Sequence, residues 1–239
     1  MVAIGIVLSN ILSISFPPNS TIIRFGIGYL PLIIISIVLG PKIGLFSAIV
    51  QDILGYFIYL LIYGYVSGPF FPGFTFNAIL YGVIPGLIYN LKLSKFNLFR
   101  YINLGLMIVL LGMAIWGLID IKGVISIIEG RLTDDMIFNE WVVYLIIITG
   151  AVGVLAILVY LIRQRNETDK AQRIIFSVII LQLVISLFLT PLWVSILYHI
   201  PFWPQLPLRI FKTPVEIFIY SILLVRLIKI FKSDYAINQ

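Results

Sequence analysis

The sequence predicts an all-α protein: a polytopic membrane helical bundle of about eight spans, with both termini cytoplasmic. Three observations predict it. Hydrophobic residues make up 61% of the chain and charged residues only 11%, against roughly 25% charged in soluble domains. The apolar residues fall into long runs separated by short Gly, Pro or basic joints. At 239 residues and roughly 20 residues per span, about eight helices fit and no soluble catalytic domain does. The composition also excludes chemistry. With no cysteine and one histidine, there are no disulfides, thiolate nucleophiles or histidine metal clusters. No cofactor or metal site is expected. The net charge of +6 sits in short loops, as in cytoplasmic loops of membrane proteins, and does not point to nucleic acid.

Residues 2–16 form an apolar helix that ends at Pro17-Pro18. As a helix it reaches only about 22 Å of a hydrocarbon core of about 30 Å. Either neighbours bury it in part or the true start lies upstream. The absence of a basic n-region and a small-residue cleavage site argues against a signal peptide. Gly5, Ser9 and Ser13 recur every four residues as a small-residue stripe, a surface for close helix approach within this chain or by a partner. Segments 22–39 and 43–63 are joined by Gly40-Pro41-Lys42, a joint that permits only a hairpin. A span over about 74–91 is interrupted by Pro85-Gly86. Lys92, Lys95 and Arg100 make a basic loop before a span at 101–119. The loop 120–140 carries Asp120, Lys122, Glu129, Arg131, Asp134, Asp135 and Glu140. A span at 141–162, a basic loop at 163–173, and spans at 174–198 and 208–228 complete the chain.

Most Lys and Arg residues lie at Lys42, 92–100, 163–173 and the C-terminal tail. The positive-inside rule makes these cytoplasmic. The 17–24, 64–73, 120–140 and 199–207 connections are then outside. The chain is organised around one of them, Gly68-Pro-Phe-Phe-Pro-Gly-Phe-Thr-Phe-Asn77. Its prolines and glycines punctuate the backbone. Its aromatics beside a few polar groups make either a slot for a flat ligand or a tight turn stabilised by stacked rings.

The order and spacing of several short motifs carry a family resemblance. Arg24-Phe25-Gly26 with Tyr29-Leu30-Pro31, Gly40-Pro41-Lys42-Ile43-Gly44, Gln51-Asp52-Ile53-Leu54-Gly55, Phe70-Phe71-Pro72-Gly73-Phe74-Thr75, and Gly82 with Gly86-Leu87-Ile88-Tyr89 resemble the substrate-binding S components of energy-coupling factor (ECF) vitamin transporters, above all the folate-specific branch. Leu192-Trp193-Val194-Ser195-Ile196-Leu197-Tyr198, Pro201-Phe202 and Leu206-Pro207-Leu208-Arg209-Ile210-Phe211-Lys212 resemble that branch's last two helices. The resemblance covers about 1–92 and 174–230 and implies a six-helix S-component-like core, to which two inserted transmembrane helices are added. Residues 101–163 have no counterpart and read as an inserted transmembrane hairpin with an acidic outer loop. Two inserted spans leave the downstream orientation unchanged. The resemblance implies a substrate-binding protein without enzymatic activity, in the plasma membrane of a prokaryote. Its partners would be a folate-like vitamin, a transmembrane coupling subunit and two ATPase subunits. The Gly5–Ser9–Ser13 stripe would be the contact for the coupling subunit.

The candidate residues follow from chemistry and from that resemblance. Arg24 and Arg209 lie near the outer ends of spans. They either snorkel to headgroups or bind carboxylates bidentately, as a glutamate tail would need. Lys212 and Glu216, four apart, either neutralise each other or share in the site. Asp52 pairs with Lys212 across two helices or with a ligand amine. Phe71, Phe74 and Trp193 offer rings to stack on a pterin. Thr75 and Asn77 offer hydrogen bonds to its polar edge. The alternatives are an S component for riboflavin, thiamin, pantothenate or a queuosine precursor, a lipid-active membrane enzyme, and a scaffold. The sequence has no His-Glu-x-x-His or Gly-x-Ser-x-Gly, and no Gly-rich phosphate loop with Lys-Ser/Thr.

Overall fold

The computed structural model describes residues 1–10, 14–16, 23–64, 69–91, 98–120, 122–123, 126, 140–163 and 169–237. In order these form α1 (Val2–Asn10), β1 (Ile14–Phe16), β2 (Ile23–Phe25), α2 (Leu30–Val38), α3 (Pro41–Tyr63), α4 (Pro72–Asn90), α5 (Leu98–Ile119), α6 (Glu140–Arg163), α7 (Asp169–Leu181), a π-helical segment π1 (Gln182–Leu189), α8 (Thr190–Tyr198) and α9 (Phe202–Ile237). The described residues are helical apart from one ribbon and short connections. Among them, two helices, Pro41–Ile62 and Lys170–Tyr198, are long and apolar enough to cross a membrane, and shorter apolar helices run over Leu98–Met113 and Ile147–Ile162. Large apolar side chains such as Phe46, Phe57 and Leu61 are exposed, the surface of a membrane protein.

The first quarter differs from expectation. The helix expected over 2–16 stops at Asn10, and the chain turns into β1. The helix expected over 22–39 begins only at Leu30, after β2 and the glycines Gly26 and Gly28. β1 and β2 pair antiparallel, with Ser15 opposite Arg24. Helices of this length reach only about 14 Å. Extended residues advance about 3.3 Å each, more than twice a helical residue, so the ribbon lengthens both segments. α2 is buried on every side, as a helix apolar all round must be.

Backbone-to-backbone packing holds α2, α3 and α4 together. A Cβ on Gly44 would overlap the Gly82 carbonyl, and one on Gly82 would overlap the Gly44 carbonyl. Small residues let two helices approach this closely where apolar burial alone drives little association. Pro85 was expected to interrupt α4, yet the helix runs through it. Its ring removes one ladder donor. Ser36 of α2 takes up the disturbed turn: its Oγ accepts from Gly86 N (2.9 Å) and donates to Val83 O (3.4 Å).

The segment expected to be an insertion packs into the core through α5 and α6. Met107 and Leu110 of α5, and Val154, Ile157 and Leu161 of α6, belong to one apolar cluster with α2, α4, α7 and α9. Asn103 of α5 donates to Gln172 O (3.1 Å) on α7. Arg173 lies over the Phe99 ring at 5.5 Å and donates to the carbonyls of Tyr89 and Leu91, closing the C-terminal end of α4. Lys92 and Lys95, and most of the 120–140 loop, lie outside the described residues.

Candidate substrate site

α4 presents two faces. Gly73, Asn77 and Tyr81 recur every four residues and point to one side. Thr75 lies about 200° around the helix from Gly73 at 100° per residue. The structure follows this period. Phe71 stands at the N-cap of α4, with its ring 5.9 Å from Phe74 and 5.8 Å from Trp193 of α8. A Cβ on Gly73 would meet both Phe71 and Trp193, so glycine is what admits the indole. Asn77, buried, accepts from Trp193 Nε1 (3.1 Å) and donates to Thr190 Oγ1 (3.3 Å). Phe71, Phe74, Trp193 and Asn77 therefore stand together.

Thr75 does not join them. Its hydroxyl donates to Asp52 Oδ2 of α3 at 2.6 Å. Of the partners expected for Asp52, Lys212 or a ligand amine, Lys212 is instead paired with Glu216. Asp52 is the middle residue of α3, while Thr75 is in the first turn of α4. From the Gly44–Gly82 contact, α3 extends about 28 Å to Tyr63, whereas α4 reaches back only about 15 Å. The chain thus descends along α3 before α4 begins, and Phe70 packs edge-on to Tyr56, centroids 5.4 Å apart. The Asp52 carboxylate stands where the N-terminal end of α4 carries partial positive charge.

A charged face lies on α9. Arg209, Lys212 and Glu216 are 3%, 7% and 8% exposed. Lys212 Nζ is 3.0 Å from Glu216 Oε1, so the two neutralise each other as an i, i+4 pair. Arg209 Nη2 donates to Gln205 Oε1 (3.3 Å), and Gln205 Nε2 donates to the carbonyls of Ile200 and Pro201. Tyr81 and Tyr220 lie within electrostatic reach of Glu216. Tyr81 stacks on Tyr29 at 4.5 Å, and Tyr220 donates to Gly26 O (3.0 Å). Thr213 Oγ1 donates to Arg209 O (2.7 Å) and meets Ser186 Oγ at 3.3 Å. Ser186 and Thr190 share one helix, four residues apart. A polar seam therefore runs from Trp193 and Asn77, through Thr190 and Ser186, to Thr213, Arg209 and Glu216. It lies between α4, π1–α8 and α9.

Gly5 is buried under Gln51 of α3, and Gly28 packs on Ser9. Gln51 Nε2 donates to Gly28 O (3.0 Å). Gly5 and Ser9 of the stripe thus pack on the chain's own α3 and the turn before α2, the within-chain alternative; Ser13 lies outside the described residues. Arg24 is in β2, which packs on α9, and its side chain lies outside the described residues. Gln205, Thr190, Ser186 and the three tyrosines were not anticipated. Only Gln205 had a readable signal, its i, i+4 spacing from Arg209. No group of three metal-ligating side chains occurs among the described residues.

No protein-family model matches the chain, and no solved structure matches it. A curated protein, the folate transporter FolT of Clostridium novyi (strain NT), is 35% identical over 95 residues, 39% of this chain and 49% of that protein. The chain spans about half the length of this relative. The relative's name points to a transporter rather than an enzyme.

Proposed function

We propose that the chain is the substrate-binding S component of an ECF-type importer, capturing folate or a related pteridine. The observation that carries this reading is the buried cationic face of α9 joined to an aromatic cluster by a polar seam along π1 and α8. Cations are kept inside an apolar bundle for pairing, for a cavity or for a ligand. Arg209 and Lys212 against Glu216 leave an excess of positive charge among these three, suited to a carboxylate tail. Phe71, Phe74 and Trp193 suit a flat heterocycle, and Asn77 suits its mixed donor–acceptor edge. Thr75, which faces Asp52, acts on α3–α4 geometry instead. Arg24, in the ribbon, would guard the entrance. Likeness to a protein named as a folate transporter supports the substrate.

In this reading the chain crosses a prokaryotic plasma membrane about eight times with both termini inside. The α4 N-terminus, Trp193 and the start of α9 face outward. Having no phosphate-binding loop, it relies on a coupling subunit and two ATPases, and it reorients in the membrane to release its cargo. With Gly5 and Ser9 used internally, the exposed Ile4 and Val7 of α1 are left for the coupling subunit.

The test is binding to the purified protein, by tryptophan fluorescence and calorimetry. Folate is compared with riboflavin, thiamin and pantothenate, each repeated with Arg209→Ala. Folate binding that weakens at least about 10-fold in the variant, the size of a lost charge-assisted hydrogen bond, is expected. Binding of another vitamin that ignores Arg209 would keep the transporter class and discard folate. Binding of none would end the reading.

A further inference from the structure

We infer that the inserted helix α6 is the positioning element of the substrate site, and that Gly150 and Gly153 seat the charged turn of α9. Four observations carry this. First, α9 packs more extensively on α6 than on any other helix. Second, the contact is backbone to backbone at the turn that bears Lys212. A Cβ on Gly150 would overlap the Phe211 carbonyl, and one on Gly153 would lie 3.1 Å from Val215 N and 3.3 Å from the carbonyl carbon of Pro214. Third, α9 is weak in its own ladder there. Pro207 and Pro214 lie inside it, and each removes the donor that would reach four residues back. The stretch between them holds Arg209 and Lys212, so its place is fixed by neighbours more than by its own hydrogen bonds. Fourth, the opposite side rests on π1, where Thr213 meets Ser186 at 3.3 Å. The turn is held between a helix of the insertion and a π-helical segment, a geometry frequent at functional sites.

The consequence for ligand binding rests on the reading above; the mechanical part does not. Small displacements matter here because charge-assisted hydrogen bonds weaken steeply with distance and angle. A residue that pushes α9 from α6 moves Lys212 and Arg209 relative to Asn77 and Trp193, which stand on α4 and α8. Gly150 and Gly153 touch no ligand in this scheme. They act through α9.

A graded alanine series on the full chain tests it. Gly150→Ala forces a shift, Gly153→Ala asks its neighbours for a few tenths of an ångström, and Gly105→Ala and Gly112→Ala on α5 enter open space. Two readouts are taken: hydrogen–deuterium exchange of 205–216 without ligand, and affinity for folate against a pterin that lacks the carboxylate tail. Gly150→Ala should speed exchange in 205–216 and weaken folate about 10-fold, the scale of an overpacked contact, with the bare pterin little changed. Gly153→Ala should do so less, and the α5 variants not at all. Wild-type exchange and affinity in Gly150→Ala would overturn the inference. So would faster exchange in every helix with equal losses for both ligands, which marks general destabilisation. If the native chain binds no folate, the substrate reading fails alone, and the exchange series still decides whether α6 seats α9.

Discussion

Replacing Glu216 with glutamine should be among the most damaging single changes in this chain, and the damage should be reversible by a second substitution. Glu216 Oε1 lies 3.0 Å from Lys212 Nζ, with the two side chains 10% and 7% exposed. The substitution keeps the shape and removes the only anion of the cluster, leaving Lys212 and Arg209 as buried like charges. Breaking a buried ion pair in this way costs about 3–5 kcal/mol. Lys212→Met alone leaves Glu216 as a buried anion near Tyr81 and Tyr220 and should cost a similar amount, softened where Arg209 compensates. Lys212→Met with Glu216→Leu removes both charges at similar volume. Such replacements are neutral to stabilising by about 1–4 kcal/mol elsewhere. The assay is thermal unfolding in one detergent, followed by tryptophan fluorescence and by loss of monodisperse protein, with scan rates matched because membrane proteins often unfold irreversibly. The two single variants should melt well below the parent, and the double variant within a few degrees of it. Destabilisation that merely adds in the double variant would refute the pairing argument. The same three proteins separate stability from function: the stable double variant should lose folate affinity, because Lys212 belongs to the proposed site.

Three further outcomes follow from contacts elsewhere. Gly82→Ala should cost about 1–3 kcal/mol of thermal stability, the range of overpacked contacts, because its Cβ meets the Gly44 backbone; a parent-like melting curve would refute close α3–α4 contact. Gly5→Ala should destabilise by displacing the Gln51 carboxamide from Gly28 O, and Gln51→Ala should relieve part of that loss, so a cycle without coupling would remove the α1–α3 contact from the account. Asn77→Leu and Trp193→Phe should be coupled by about 0.5–1.5 kcal/mol in stability, the net worth of a neutral hydrogen bond; additive effects would separate the two side chains.

The long elements were legible because their period and their punctuation agree. α3 was expected over 43–63 and runs Pro41–Tyr63, since Gly40 and Pro41 mark its start and Gly64, with φ of 70°, its end. The meeting of Phe71, Phe74 and Trp193 was legible as aromatics crowded at helix ends. The separation of Thr75 from Asn77 was legible in principle, because residues two apart in a helix lie about 200° around it, but reading 68–77 as one slot passed over it. The ribbon of β1 and β2 left no alternating pattern in so apolar a sequence, and three-residue strands give none to read. The π1 segment was equally hidden: Gln182 to Leu189 looks like any apolar helix, and only the Thr190-Pro191 step hints at a disturbed ladder. Partner choice was the least readable. Lys212 found Glu216 because four residues in a helix is local information. Asp52 found Thr75 because α4 starts halfway along α3, which no local pattern states.

That last contact explains why the site is made of paired groups. Inside an apolar bundle an unpaired polar group costs several kcal/mol, and these side chains each have a partner within the chain: Asn77 has Trp193 and Thr190, Thr75 has Asp52, Lys212 has Glu216, Arg209 has Gln205. A ligand that uses Asn77, whose two side-chain polar atoms are both engaged, must exchange these bonds and not simply add to them. Exchange of one hydrogen bond for another returns little net free energy. The affinity must then come mainly from burying the ligand's flat apolar rings and from the net positive charge of Arg209, Lys212 and Glu216 taken together. Selectivity comes from the exchange itself. A heterocycle that displaces Trp193 Nε1 from Asn77 without replacing that bond strands a buried donor, at about 1–3 kcal/mol. Trp193→Phe removes that donor. It should therefore relax discrimination between folate and analogues lacking the polar edge by roughly 10-fold, while changing folate affinity itself less. Equal loss for folate and its analogues would place Trp193 in stacking alone.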